Sequence, residues 1–177
     1  MKKIAVFGKP GSGKSSLSKQ LALIKHLPLH QLDSIAFRKN GTAETREVFD
    51  KKHRDILSED SWIIDGLGPL DAFSQRLESA DTLIYIDLPY YVSYWLVTKR
   101  MLKGLAVKPE GWPEGSSIVK GTINSYKFLR LSPKFWNADF EQRLKSFDEN
   151  KSVHIIRSLS ELNAFISQLK SQPIEAS

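Results

Sequence analysis

The chain has 177 residues, of which 41% are hydrophobic and 26% charged, with a formal net charge of +6. That length supports one domain with a core of its own. The absence of cysteine excludes a disulfide framework, a thiolate nucleophile and any Cys-ligated metal centre.

No apolar run approaches the roughly 20 residues of a membrane span. The apolar stretch after Met1-Lys2-Lys3 ends at Gly8, too short for a signal-peptide core, so the expectation is a cytoplasmic, unprocessed protein. Charge is uneven along the chain. Residues 1–98 hold 13 basic and 12 acidic side chains, and residues 99–151 hold 11 and 6. A basic segment of this kind favours anionic partners, either nucleic acid or the phosphates of a small substrate.

In chain order, Lys2–Phe7 predicts a buried strand, and Lys14–Lys25 a helix with Leu17, Leu21 and Ile24 on one face, stopped by Pro28. Leu29–Leu32 predicts a second strand, and Glu44–Glu59 a polar amphipathic helix with Thr42 or Thr45 near its start. Strands follow at Ser61–Ile64, Thr82–Ile86 and Val153–Ile156. Helices are expected at Pro69–Ser79, Tyr90–Lys103, Ile118–Leu131, Ala138–Asn150 and Ser160–Leu169. Lys108–Ser116, with two glycines and two prolines, reads as a loop. Strands alternating with helices imply an α/β domain, a five-stranded parallel sheet covered on both faces. Ligands bind such sheets at the carboxyl ends of the strands. Gly8, Asp33, Asp65, Asp87 and Arg157 all fall just past predicted strand ends.

Gly8-Lys9-Pro10-Gly11-Ser12-Gly13-Lys14-Ser15 satisfies G-x-x-x-x-G-K-[ST] between a strand and a helix, the pattern and context of a P-loop. Glycines let the backbone close around a phosphate with its N–H groups inward, and the helix adds the positive end of its dipole. Lys14 is placed to bridge the β- and γ-phosphates of ATP, and Ser15 to ligate Mg²⁺. Gly8, Pro10, Gly11, Ser12, Gly13, Lys14, Ser15 and Ser16 are the expected nucleotide-binding residues of a P-loop NTPase fold.

Gly8-x-Pro10-Gly11-x-Gly13-Lys14 resembles the phosphate loop of adenylate kinases and related small P-loop kinases. Trp62-Ile63-Ile64-Asp65-Gly66 and Ile84-Tyr85-Ile86-Asp87-Leu88-Pro89 are similar to that family's later strands. Over nearly its full length the chain resembles a bacterial group of adenylate-kinase-related proteins called DNA topology modulation proteins. One departure is clear. Adenylate kinases continue Asp-Gly with Phe-Pro-Arg, whose arginine grips the acceptor phosphate, whereas this chain reads Asp65-Gly66-Leu67-Gly68-Pro69 and has no arginine until Arg76.

The resemblance implies roles. Asp65 would orient Mg²⁺, as a Walker B carboxylate does; the other reading is a turn cap. Asp33 would align an acceptor hydroxyl and take its proton, or else serve as an N-cap. Asp87 fits a cap or turn. Arg100, with Lys103 on the same helix face, would meet the transferring phosphoryl group. Arg130 and Arg143 could reach it from returning helices; for each arginine a solvated surface charge is the alternative. Residues 104–121 would form a small helical lid. Arg157 would lie in an adenine-binding loop or mark a helix start. Residues 94–140 carry 8 of the 18 aromatics, read mainly as rings packing the lid helices onto the core, with stacking on nucleic acid or a nucleobase as alternatives.

The expected function is transfer of the γ-phosphoryl of ATP, with Mg²⁺, to a nucleotide or small hydroxylated acceptor. Its rival is a regulatory ATP-binding or ATP-hydrolysing protein associated with DNA. Nucleic acid is a possible partner but not favoured, because no helix-turn-helix signature or long basic tract is present. Membranes are not expected partners, and the sequence assigns no oligomeric state. A GTPase is disfavoured, because Asn150-Lys151-Ser152-Val153 lacks the aspartate of a guanine-reading motif and precedes a strand.

Overall fold

Five short apolar segments build the sheet: β1 (Lys3–Gly8), β2 (Leu29–Gln31), β3 (Trp62–Asp65), β4 (Thr82–Ile86) and β5 (Ser152–Ile156). In the computed structural model, which describes residues 1–38, 42–106, 118–147 and 149–171, they pair in parallel in the order β2-β3-β1-β4-β5. Parallel neighbours need crossovers, and helices supply them: α1 (Lys14–Lys25), α2 (Leu32–Ala36), α3 (Arg46–Leu57), α4 (Leu70–Ser79), α5 (Tyr90–Ala106), α6 (Ile118–Leu131), α7 (Ala138–Lys145) and α8 (Leu159–Ser171).

Side chains on a strand alternate between faces, and both faces here are buried. Ala5, Phe7, Trp62, Ile64, Leu83 and Tyr85 point to one side, where α3 brings Phe49 and Ile56, α4 brings Phe73 and Leu77, and α7 brings Phe140 and Leu144. Ile4, Val6, Ile63, Ile84 and Ile86 point to the other, under Leu17 and Leu21 of α1 and Leu162 and Leu169 of α8. Each buried valine, leucine, isoleucine or phenylalanine side chain contributes about 1.5–3 kcal/mol. The expected architecture, a parallel sheet with helices on both faces, is the one observed.

The aromatics divide. Phe135, Trp136 and Phe140 join Phe7, Phe73 and Tyr85 in one core cluster, with Tyr85 and Trp136 stacked at 5.1 Å. Tyr94 of α5 meets Tyr126 of α6 at 5.6 Å. Trp95 and Phe128 are exposed, and Trp112 lies outside the described residues.

Several boundaries differ from the sequence reading, each for a local reason. β2 stops at Gln31, its last rung against Asp65, and Leu32 begins a helix instead of ending a strand. Thr45 caps α3 by accepting from Val48 N–H, so Glu44 stays outside it. α1, by contrast, ends at Lys25 as expected, and what stops it is His26 in the left-handed region at φ 54°, two residues before Pro28. The expected helix Ala138–Asn150 closes at Lys145, where Ser146 N–H turns back to Gln142 O. The lid segment 104–121 lies largely outside the described residues, which on either side include α5 and α6.

Candidate nucleotide and acceptor site

β1 is flanked by β3 and β4, and α1 leaves its carboxyl end. The register sets the geometry. Gln31, Asp65, Val6 and Ile84 share one rung, and β1 continues two residues further, to Gly8 opposite Ile86. The phosphate loop therefore rises just beyond Asp65.

Three loop glycines have positive φ: Gly8 at 143°, Gly11 at 72° and Gly13 at 87°. Gly13 is the N-cap of α1 and no side chain caps that helix, which also has no acidic residue in its first turn. Its first N–H groups are thus left to an anion. Ser12 is fully buried, Pro10 is half-buried, and Ser15 and Ser16 are exposed. Lys14 Nζ donates to the Lys9 carbonyl at 2.7 Å and approaches Ser12 Oγ at 3.5 Å. Burial lowers the Lys14 pKa and Arg100 adds to that effect, while Asp65 and Asp33 oppose it. Lys14, Asp65, Asp33 and Arg100 therefore share one electrostatic neighbourhood.

Asp65 is 5% exposed. Burial raises its pKa, against the attraction of Lys14 and the polar side chains of Ser15 and Gln31. Its Oδ1 is buried with no hydrogen-bond partner. An orphaned carboxylate oxygen beside an exposed serine hydroxyl suits a divalent cation. Mg²⁺ takes few protein ligands and completes its shell with phosphate oxygens and water, so Ser15 and Asp65 fit it. Among the described residues no group of three or more His, Cys, Asp or Glu is placed to hold a metal.

Asp33 lies in the first turn of α2, exposed, two residues past the end of β2. Arg100 is exposed on α5, and its charge is felt at Lys14. Ser93, Val97 and Gly104 are buried, and Arg100 falls on the same stripe by helical spacing. Its Nη2 donates to Ser125 Oγ of α6 at 3.1 Å. Arg130 sits elsewhere, on the open surface between α5 and α6, with Tyr94, Ile123, Tyr126 and Lys127. Arg143 donates to Ser74 of α4, on the other face of the sheet. Arg157 follows β5, with its guanidinium on Glu141 at 2.9 Å and its N–H on Glu161 at 2.8 Å. Ser158 and Glu161 bond reciprocally at the start of α8, so this segment is a capped helix start.

Two buried cations escaped the sequence reading. Lys9, at a variable loop position, is 2% exposed and ion-paired to Asp87, which is therefore more than a turn residue. Arg76 is fully buried, and its Nη2 donates to the carbonyls of Gly66 at 3.0 Å and Leu67 at 2.6 Å. The arginine missing from the turn after Asp65 thus returns to it from α4, bonded to backbone. Helical spacing puts position 76 on the inner face of α4 with Ala72, Phe73 and Leu77, but an arginine there reads as a surface side chain, and nothing in the sequence marks its backbone partners.

No protein-family model matches the chain, and no curated protein does. Solved structures do. Shikimate kinase from Acinetobacter baumannii, in complex with shikimate, aligns with a TM-score of 0.56 at 15% identity, over 96% of this chain and 90% of that one. Shikimate kinase from Bacteroides thetaiotaomicron aligns with a TM-score of 0.50 at 15% identity, over 94% and 95%. At such identities the likeness shows the fold alone, an α/β P-loop NTPase fold shared with these structures.

Proposed function

We propose that the protein is an ATP-dependent phosphotransferase, moving the γ-phosphoryl of ATP to a nucleotide or a small hydroxylated acceptor. One observation carries the reading: the loop lysine Lys14 shares its surroundings with Asp65, Asp33 and Arg100 at the carboxyl end of β1 and β3. The loop N–H groups and the start of α1 bind the phosphates. Lys14 and Arg100 spread positive charge over the transferring group, whose equatorial oxygens gain charge in the transition state. Asp33 holds the acceptor hydroxyl and takes its proton as the acceptor oxygen bonds to the γ-phosphorus. The bond to the β–γ bridging oxygen breaks, and ADP leaves with that electron pair. Mg²⁺, held by Ser15 and Asp65, would neutralise charge on the phosphate oxygens. Arg157 belongs to the adenine side in this reading. Arg130 takes its role on the phosphoryl group from the resemblance alone; its place beside Lys127 adds no geometric support.

A screen for ADP release in ATP–Mg²⁺ tests the proposal, with nucleoside monophosphates and small hydroxy acids, shikimate included, as acceptors. Acceptor-dependent turnover is expected. Asp65→Asn should then shift the Mg²⁺ dependence, and Asp33→Asn should lower kcat with ATP affinity nearly unchanged. Equal loss of ATP binding in both variants would overturn this division of roles.

The DNA-associated reading has one observation in its favour. α5 and α6 carry six lysines and arginines and no Asp or Glu, with the rings of Tyr91, Trp95 and Phe128 exposed beside them. Hydrolysis stimulated by single-stranded DNA without any acceptor would favour it over the kinase.

A further inference from the structure

We propose that Lys9 is a positioning residue. It ties the phosphate loop to the start of α5 and so fixes the frame in which Lys14 and Arg100 meet a transferring phosphoryl group. The inference rests on the phosphotransfer reading above.

Lys9 has two attachments. Its side chain is buried, ion-paired through Nζ to Asp87 just past β4, and lies 4.3 Å from the centre of the Tyr90 ring, the first residue of α5. Its carbonyl accepts from Lys14 Nζ at 2.7 Å. A buried ammonium is costly unless it is paired, and a carboxylate together with an aromatic face satisfies it. One residue therefore holds the reacting lysine by its main chain and the β4–α5 junction by its side chain.

The same contact face continues along α5. Gly11 comes so near the helix that a Cβ on it would lie 2.6 Å from the Ser93 carbonyl and 2.7 Å from Val97 Cγ2. Tyr90 OH accepts from Ser132 Oγ at 3.3 Å, which links the start of α5 to the chain leaving α6. Arg100 lies ten residues beyond Tyr90, about 15 Å along the axis at the α-helical rise. A tilt of about 4° at the start of α5 would move it by about 1 Å over that length. A misplacement of that size can cost about a hundredfold in rate. Fixing the first turn of α5 thus governs a cation almost three turns away.

The test uses ATP–Mg²⁺ with water as acceptor, so no other acceptor is needed. Single-turnover hydrolysis, ATP affinity by calorimetry and hydrogen exchange across residues 90–104 are compared for wild type and Lys9→Met. Both rates are then measured again with Arg100→Ala. Lys9→Met should lower the rate ten- to a hundredfold, keep ATP affinity within about threefold, and speed exchange in 90–104 but not in the strands. With Arg100→Ala already present, the same substitution should cost less than about threefold, because the group it positions is gone. Equal losses in both backgrounds, or a folded Lys9→Met with unchanged rate and exchange, would overturn the proposal. Should Lys9→Met fail to fold, Lys9→Arg keeps the charge and alters only the reach of the tie. It should retain ATP affinity and lose rate; a wild-type rate would count against the inference. Wild-type protein that does not bind ATP would overturn the kinase reading and this inference with it. Wild-type protein that hydrolyses ATP while Lys9→Met is indifferent would overturn the inference alone.

Discussion

His53 and Arg76 show how far a single polar side chain can depart from its ordinary chemistry in this core. His53 is 1% exposed, stacks on Phe49 at 5.9 Å and leaves Nε2 without a partner. Burial pushes its pKa down to about 4, with the Arg76 guanidinium acting in the same direction and Asp50 and Asp71 against it. Arg76 is itself lowered to about 9 by burial and stays charged at neutral pH. The consequence of the His53 shift is a pH-dependent stability. Unfolded chains take up a proton on this ring below about pH 6.5, whereas the folded protein resists until about pH 4. Between those values the unfolded state holds more protons, so stability falls as pH falls. Above pH 6.5 the group contributes nothing. His53→Phe should keep the stack, remove the orphaned nitrogen and flatten the slope. In urea unfolding, wild type is expected to lose on the order of 1–2 kcal/mol more than the variant between pH 7 and pH 4.5. Equal losses would mean that His53 is already protonated in the fold. Residue type argues for the surface in both cases, although helical spacing puts His53 with Phe49 and Ile56, and Arg76 with Phe73 and Leu77, on the inner faces of their helices. What spacing does not encode is the polar setting: the carbonyls of Gly66 and Leu67 that receive Arg76, and the lack of any partner for His53 Nε2.

Among the elements, the phosphate loop was the most legible and the loop-to-helix contacts the least. The glycine spacing predicts a close-wrapped turn, and Gly8, Gly11 and Gly13 do take the positive φ values that such a turn requires. The helix after it has the expected bounds, because Leu17 and Leu21 recur at helical spacing on a buried face. What the motif does not convey is that the loop rests on α5. Gly11 serves two purposes: φ 72° disfavours any residue with a Cβ, and the space a methyl would fill is taken by Ser93 and Val97. Gly11→Ala should therefore do more than strain the turn. It is expected to push the loop from α5 and weaken ATP binding at least tenfold, with a loss of about 1–3 kcal/mol in fold stability. Calorimetric titration beside thermal unfolding separates the two effects. An alanine variant with unchanged ATP affinity would show that the loop tolerates displacement from α5. Element ends were legible in α1 and less so in α3, which starts two residues past the expected Glu44 because Thr45 caps it, and in α7, where the backbone turns after Lys145. α6 was delimited by composition, yet its facing was not. Ile123, Lys127 and Arg130 fall on its outer side, while Thr122, Leu129 and, in the turn beyond, Ser132 are buried.

For the molecule as a whole, alternating strands and helices made the parallel sheet legible, and the order β2-β3-β1-β4-β5 brings together residues from 34 to 78 positions apart. That order places Asp65 beside β1 and brings the carboxyl ends of β2, β3 and β1, where Asp33, Asp65 and Gly8 follow or end the strands, to one edge of the sheet. Among the described residues no helix is long and apolar enough to cross a membrane. A nucleotide seated on the loop, between β1 and α1, contacts the centre of this single sheet, so binding should stabilise the entire fold by linkage. At ATP–Mg²⁺ concentrations near 100 times Kd the gain is about 2.7 kcal/mol, which in a chain of this size corresponds to a rise in Tm of about 5–11 °C. Lys14→Ala should abolish most of that rise. It should do so without unfolding the protein, because Lys14 makes its contacts within the loop, to Lys9 O and Ser12 Oγ. Burial also disfavours its charge, so the ligand-free Tm of the variant should hold or increase slightly. Thermal unfolding of both proteins across an ATP–Mg²⁺ titration checks this directly. If Lys14→Ala gains as many degrees as wild type, the loop is not where the nucleotide binds, and the roles assigned around Asp65 and Arg100 lose their anchor.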